Sequence, residues 1–327
     1  MADLTRRTLL GAAAGIGIGL TLPGTATAAP GGFPNYRYLG VAFDKNALRY
    51  NPTGELIFPC IRGARGRVPN PRAKYYLYYA PHDAPGGICL SYGESLDRPF
   101  TEYPNNPIVA RNWAPHYNVS HVSSPHVLWN EDVAEMWLYF HGENTTTRLA
   151  RSKDGITFTY DKVVLSTSML WSGTTEASYA RVFRHDLPRL GARYVMVFMI
   201  NEQSNRRSIG WGWSPDARNW TFAQSPLIRP QEVGAQNIGA PAVASRGGST
   251  YVIYHRDKAS GGNMLITEVG NDFTKRNHLG VFHSPLAGAP DNGRCAAASF
   301  GNDGGVEYMF YEAGERLAGA IAVAKAV

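Results

Sequence analysis

The feature that most constrains this chain is a run of about five bulky, mostly apolar residues that appears five times. The copies are Tyr75-Tyr76-Leu77-Tyr78-Tyr79, Met136-Trp137-Leu138-Tyr139-Phe140, Tyr194-Val195-Met196-Val197-Phe198, Tyr251-Val252-Ile253-Tyr254-His255 and Tyr308-Met309-Phe310-Tyr311-Glu312. They recur roughly every 57–61 residues, a period that signals an array of supersecondary units. Each run has strand length and is bounded by turn residues. A shorter apolar strand precedes each: Ile57 to Ile61, Pro125 to Trp129, Tyr179 to Phe183, Ala240 to Ala244 and Cys295 to Phe300. After each of the first four runs comes a third strand that ends near a Ser/Asp turn, then a more polar fourth strand, as at Phe158-Thr159-Tyr160 and Trp220-Thr221-Phe222.

Four antiparallel strands per unit, repeated five times, predict an all-β, five-bladed β-propeller. The last unit runs out of chain after its third strand. The segment Tyr36 to Phe43 has no unit of its own, so it is expected to supply the missing outer strand and close the ring. Closure removes two sheet edges that otherwise invite aggregation. The domain division read from this pattern is a signal peptide over 1–29 and a propeller over 30–327.

The signal reading rests on three features in order: the twin-arginine sequence Thr5-Arg6-Arg7-Thr8-Leu9-Leu10, a weakly apolar Gly/Ala/Ile/Leu run, and the small-x-small site Ala26-Thr27-Ala28. Export by the twin-arginine machinery, cleavage after Ala28 or Ala29, and a secreted, monomeric product are expected. That route carries folded proteins out of a reducing cytoplasm. Cys60, Cys89 and Cys295, odd in number and sparse, are accordingly read as buried thiols rather than a disulfide framework. No Cys/His spacing matches a zinc site. No 20-residue apolar span follows the N-terminus, so a membrane crossing is not expected of the mature chain. The net charge of +6 includes the signal arginines and contains no basic run, which argues against nucleic acid as a partner.

In a propeller the heads of the inner strands and the loops between second and third strands meet at one end of the central channel. Those segments hold His82, His121, Ser124, His126, His141, Glu143, Arg148, Glu176, Asn237, His255, Arg256 and Arg294. Trp113 and Trp171 come from longer connections near strand heads and are candidates for stacking on sugar rings.

The run Lys74 to Tyr79 with Ile88 to Phe100 resembles the first blade of five-bladed propeller glycosidases, the arabinanase, xylosidase and invertase group of glycoside hydrolase families 43, 62, 32 and 68. Ser123-Ser124-Pro125-His126-Val127 and Thr175-Glu176-Ala177-Ser178-Tyr179-Ala180-Arg181-Val182-Phe183 are similar to their second and third blades. The resemblance implies three carboxylates at inner-strand heads: a base or nucleophile in blade one, an acid-tuning Asp in blade two and a general-acid Glu in blade three. Only the third maps here, onto Glu176. Blade one has Phe58-Pro59 where the group has Asp-Pro, and blade two has Ser124 beside His126. The resemblance leaves a structural cation on the propeller axis open; no other cofactor is expected.

A pair of carboxylates flanking the scissile bond is the chemistry of glycoside hydrolysis. Substitutes for the missing half are Asp83, Asp44, Glu55 and Glu143. Asp83 equally suits a turn before Pro-Gly-Gly. Three readings follow. The first is a secreted glycoside hydrolase acting on an arabinose-, xylose- or uronate-containing poly- or oligosaccharide, with Glu176 as acid and Asp83 or Asp44 as partner. The second is a uronate-directed lyase in which Arg neutralises the carboxylate and a histidine such as His126 or His82 removes the C5 proton. The third is a non-catalytic sugar-binding propeller.

Overall fold

In the computed structural model, which describes residues 29–327, five four-stranded antiparallel sheets are arranged around an axis. The chain begins with β1 (Tyr36–Val41), which belongs to the last blade. Blade one is β2 (Ile57–Gly63), β3 (Tyr75–Ala80), β4 (Cys89–Gly93) and β5 (Thr101–Glu102). A two-stranded hairpin, β6 (Asn112–Trp113) with β7 (Tyr117–Asn118), interrupts the path to blade two. That blade is β8 (Val122–Asn130), β9 (Glu135–Gly142), β10 (Thr146–Ser152) and β11 (Thr159–Ser166). Blade three is β12 (Thr174–Leu187), β13 (Ala192–Glu202), β14 (Arg207–Ser214) and β15 (Thr221–Phe222). Blade four is β16 (Ile238–Arg246), β17 (Ser249–Arg256), β18 (Met264–Glu268) and β19 (Asn277–His283). Blade five is β20 (Cys295–Asp303), β21 (Val306–Ala313) and β22 (Ala320–Ala326), completed on the outside by β1. The expected five-bladed ring and its N-terminal closing strand are both present. The export-signal reading falls on residues 1–28, outside the described residues.

The recurrent bulky runs are the second strands, and the packing explains why they are apolar on both faces. In β3, Tyr76 and Tyr78 pack into a core shared with Val127, Leu138 and Phe140 of blade two. The alternate residues Tyr75, Leu77 and Tyr79 pack into a core shared with Tyr308 and Phe310 of blade five. Side chains alternate across a strand, so a strand with a neighbour on each side needs both parities apolar. The same division places Tyr139 toward blade three and Val195 and Val197 toward blade four. Blades four and five share a further core that includes Ile253 and Tyr311.

Buried tyrosines also tie blades together by hydrogen bonds. The Tyr78 hydroxyl donates to the Gly155 carbonyl at 2.7 Å, and the Tyr139 hydroxyl to the Ala217 carbonyl at 2.7 Å. Both acceptors lie in Ser-x-Asp turns. In the first, Asp154 accepts the backbone N–H groups of Ile156 and Thr157; in the second, Asp216 accepts those of Arg218 and Asn219. Cys60, Cys89 and Cys295 are free and buried, as their sparse spacing suggests. Among the described residues no helix is long and apolar enough to cross a membrane.

Each inner strand carries the same irregularity. The ladder between first and second strands slips at Ile57/Cys60, Ser123/His126, Ser178/Arg181, Gly239/Ala242 and Ala296/Ser299. Within each slip one residue has positive φ: Phe58 (54°), Ser124 (54°), Tyr179 (58°), Ala240 (43°) and Ala297 (52°). A bulge of this kind bends the strand and re-aims a side chain. Here it does so at five equivalent places around the channel.

Candidate active site

Four of the five bulge residues meet in an apolar cluster. Phe58, Tyr179, Ala240 and Ala297 pack with Ile57, Met199 and Ala296, and every member is buried. The Phe58 and Tyr179 rings lie 4.5 Å apart. This cluster floors a cavity of about 280 Å³ at the end of the channel where the inner strands begin. The walls bring together Glu55, His82, Arg207, Asn237, His255, Lys258, Arg294, Glu312, Glu315 and Arg316.

The carboxylates of this mouth differ sharply in setting. Glu55, just before β2, is 2% exposed, and its Oε2 has no hydrogen-bond partner. Burial pushes its carboxyl above the ordinary range; a backbone amide from Leu317 pulls it down, and the negative charges of Glu312 and Asp83 push it up again. Glu312, at the end of β21, is 4% exposed and sits 2.6 Å from the Arg294 guanidinium. Asp83 pairs with Arg316 at 2.5 Å and with His82 Nδ1 at 3.2 Å. Burial raises the Asp83 carboxyl slightly, but the Arg316 guanidinium outweighs it and holds the group below its usual value. A carboxyl whose proton affinity is raised by burial, in the same mouth as carboxyls that are ion-paired, is the kind of arrangement that separates an acid from its partner.

The loop carrying His82 and Asp83 is fixed at Gly86-Gly87. The Gly87 amide donates to the Val122 carbonyl at 2.8 Å, and Gly86 has φ of 64°. A Cβ on Gly86 would lie 2.3 Å from the Val122 carbonyl oxygen, so only glycine fits that approach.

Histidines gather at and beside this mouth, and burial lowers three of them, His82, His141 and His255. His255 is pushed down to about 3 by burial and by Arg294 and Arg207. His82 is lowered by burial, and its Nε2 lies 3.4 Å from the Tyr179 hydroxyl, itself raised by burial to about 12. His141, 1% exposed, stands 5.3 Å from the Tyr179 ring and 5.7 Å from the His121 ring, with neither ring nitrogen partnered. His121 in turn contacts Asn144 Oδ1 at 3.3 Å. Glu143 and Arg148 pair at 3.0 Å, with the guanidinium over the Tyr117 ring.

Several sequence candidates are elsewhere. Glu176 sits three residues before the blade-three bulge, opposite Asn201 in the ladder, 3.8 Å from Arg207. It borders the mouth but does not line the cavity. Asp44 is exposed and accepts the Asn46 amide at 2.9 Å to cap a short 3-10 turn, Lys45–Ala47. Arg256 donates to Asn263 Oδ1 at 2.8 Å, with Gly261 close beside its guanidinium. Ser124 is fully packed at its bulge. Trp113, half-buried against the core between blades one and two, joins an aromatic group with Tyr117 and Tyr160, and Trp171 donates to Glu202 Oε1 at 3.0 Å. His126 lies past the bulge: its Nε2 donates to the Val182 carbonyl at 2.7 Å, and it lines a different cavity at the opposite end of the channel. Side-chain alternation explains this last case, because the bulge resets which residues of β8 face the axis.

Sequence reasoning missed Arg207, which has Arg206 immediately before it. The two differ by one position at the start of β14, and that parity decides which one faces the channel. Arg316 went unnoticed because the loop after β21 carries no pattern of its own. Among the described residues no group of three or more His, Cys, Asp or Glu side chains is placed to hold a metal ion.

No family model matches the sequence, and no curated protein matches it. Solved structures do. A glycoside hydrolase aligns with a TM-score of 0.68 at 14% identity, over 89% of this chain and 92% of its own. An alpha-L-arabinofuranosidase from Podospora anserina in complex with cellotriose aligns with 0.63 at 11%, over 89% and 96%. An N-acetylgalactosamine deacetylase from F. plautii, bound to blood group B trisaccharide, aligns with 0.60 at 13%, over 89% and 94%. One scaffold thus serves different reactions, and the reaction must be argued from the site. What the likeness establishes is architecture: this chain has the five-bladed β-propeller fold seen in glycoside hydrolases of this type.

Proposed function

We propose that the mouth cleaves a glycosidic bond by hydrolysis, with Glu55 as proton donor and Glu312 as its charged partner. The observation that carries this is the buried carboxyl of Glu55, raised by desolvation, next to the Arg294-paired Glu312. Glu55 gives its proton to the glycosidic oxygen as the C–O bond breaks. Glu312 takes a proton from the water that attacks the anomeric carbon, or attacks that carbon itself, according to the separation of the two groups in the complex. Asp83 and Arg316 orient the sugar hydroxyls. Glu176, the residue suggested by the glycosidase resemblance, becomes a rim residue beside Arg207. The twin-arginine sequence supports an exported enzyme, and so an extracellular arabinose-, xylose- or uronate-containing glycan as substrate.

One observation favours a lyase as the second reading: His82 and the Tyr179 hydroxyl lie together within reach of Arg294 and Arg316. A screen of polysaccharides with wild type, Glu55→Gln, Glu176→Gln and His82→Gln separates the readings. Hydrolysis yields reducing ends without an unsaturated product. Glu55→Gln is expected to lose 10²–10⁴-fold, the usual worth of an acid catalyst, with Glu176→Gln within tenfold of wild type. An ultraviolet-absorbing unsaturated uronate lost in His82→Gln would establish the lyase instead. Binding without either product would make the protein a sugar-binding propeller.

A further inference from the structure

The channel has a second chamber. Beyond the apolar floor, a cavity of about 600 Å³ occupies the end where the inner strands finish. Its walls include Arg62, Arg67, Arg181, Arg184, Arg246 and His126, against two acids, Glu131 and Glu307. Glu307 is taken by Arg246 at 2.9 Å, and Arg184 reaches Asp132 at 3.5 Å. Arg62, Arg67 and Arg181 have no carboxylate within ion-pair distance among the described residues; Glu131 acts on Arg67 only from beyond that distance.

Their hydrogen bonds go to backbone carbonyls, apart from a 3.2 Å contact between Arg62 Nη2 and His126 Nε2. Arg62 donates to the Val127 carbonyl and, at 2.6 Å, to that of Ile61; Arg67 donates to the Gly63 carbonyl at 3.2 Å. Arg181 is 3% exposed; Nη1 donates to the Pro125 carbonyl at 2.6 Å, while Nη2 has no acceptor. Carbonyl oxygens satisfy donors but do not neutralise charge. A buried guanidinium without a counter-charge is costly, and two more of like sign on the same walls increase that cost. Glu312, the acid whose field reaches Arg181, is tied to Arg294 on the other side of the floor. The chamber has the volume to admit a small anion beside these arginines.

We propose that this chamber is a second binding site, for a small molecule carrying an oxyanion, held by Arg181 with Arg62 and Arg67. Arginine offers paired donors that suit carboxylate and phosphate alike. The chamber is larger than a bare ion needs, and Phe183, Phe300 and Tyr75 line it, so the anion is expected to sit on a ring-sized body. A sugar acid and a sugar phosphate share this chemistry.

The test is calorimetric titration of the full chain at fixed ionic strength with galacturonate, glucose 6-phosphate and, as the uncharged control, galactose. Saturable binding of at least one anion and none of galactose is expected; which anion binds distinguishes carboxylate from phosphate as the source. Arg181→Met should weaken binding at least tenfold. Arg67→Gln, nearer the surface, should weaken it severalfold and carries the test if Arg181→Met does not fold. Glu55→Gln should bind the anion as wild type does, whatever its effect on hydrolysis. The proposal is overturned if neither anion gives saturable heat up to about 10 mM, weaker than any useful site at −RT ln K. It is equally overturned if both arginine variants bind like wild type, or if Glu55→Gln abolishes binding, which would place the anion in the mouth.

Discussion

Glu55 is a residue whose chemistry opposes its stability. Its folded-state affinity for a proton exceeds that of the unfolded chain, because burial disfavours the charge. The folded state therefore holds a proton that the unfolded chain has released, and stability falls as pH rises from the ordinary glutamate range through the raised value. Glu55→Gln removes that penalty. The variant should melt at a higher temperature than wild type at neutral pH while losing activity, a trade expected of strained catalytic groups. An unchanged or lower melting temperature at pH 7 would show that Glu55 is already satisfied as a carboxylate. The acid must be protonated to act, so wild-type activity should decline as pH passes upward through the same group. Glu55 was legible in the sequence only as one of several acids near the first inner strand. What set it apart, near-complete burial with one carboxyl oxygen unpartnered, depends on Leu317 and Glu312 at the far end of the chain.

At the scale of elements, the second strands were readable and the bulges were not. Both faces of a second strand are core, so bulky residues mark it plainly. The bulge residues are Phe, Ser, Tyr, Ala and Ala, a set with no common side-chain chemistry, because what recurs there is a backbone turn. The structure makes those positions testable. A non-glycine residue at positive φ costs about 1–2 kcal/mol, so replacing it with glycine returns part of what the lost methyl group removes. Ala240→Gly (φ 43°) should therefore cost at least about 1 kcal/mol less than Ala322→Gly, buried in the ordinary strand β22. Urea midpoints of the two variants decide it; equal losses would mean the bulge is not strained. The same irregularity accounts for His126. Its sequence neighbourhood pointed to the mouth, and a bulge two residues earlier, at Ser124, delivered it to the other side of the floor.

At the scale of the molecule, the fivefold repeat was enough to establish the ring and the strand that closes it, since each blade repeats one hydrophobic pattern. The electrostatics of the assembled ring were beyond it, because they arise from residues far apart in sequence. One consequence concerns acid. His82, His126, His141, His255 and His283 are all lowered from their ordinary value, first of all by burial, His255 to about 3 and His283 to about 4. Below pH 6.5 the unfolded chain takes up protons that these groups refuse in the fold, so stability is complete above that pH and drains away as it falls. Each such group removes up to about 1.4 kcal/mol per pH unit. Melting temperature should drop steeply between pH 6.5 and 5, before most carboxylates titrate; a flat profile there would show that the histidines are not buried neutral in solution.

The apolar floor of Phe58, Tyr179, Met199 and their alanine neighbours turns the propeller's tunnel into two dead ends set back to back. A solute that slips in beside Glu55 must retreat by the way it came, and one that settles against Arg181 never meets the first. Traffic on one face therefore cannot queue behind traffic on the other, and what passes between the two faces is charge, through the field of Glu312 on Arg181.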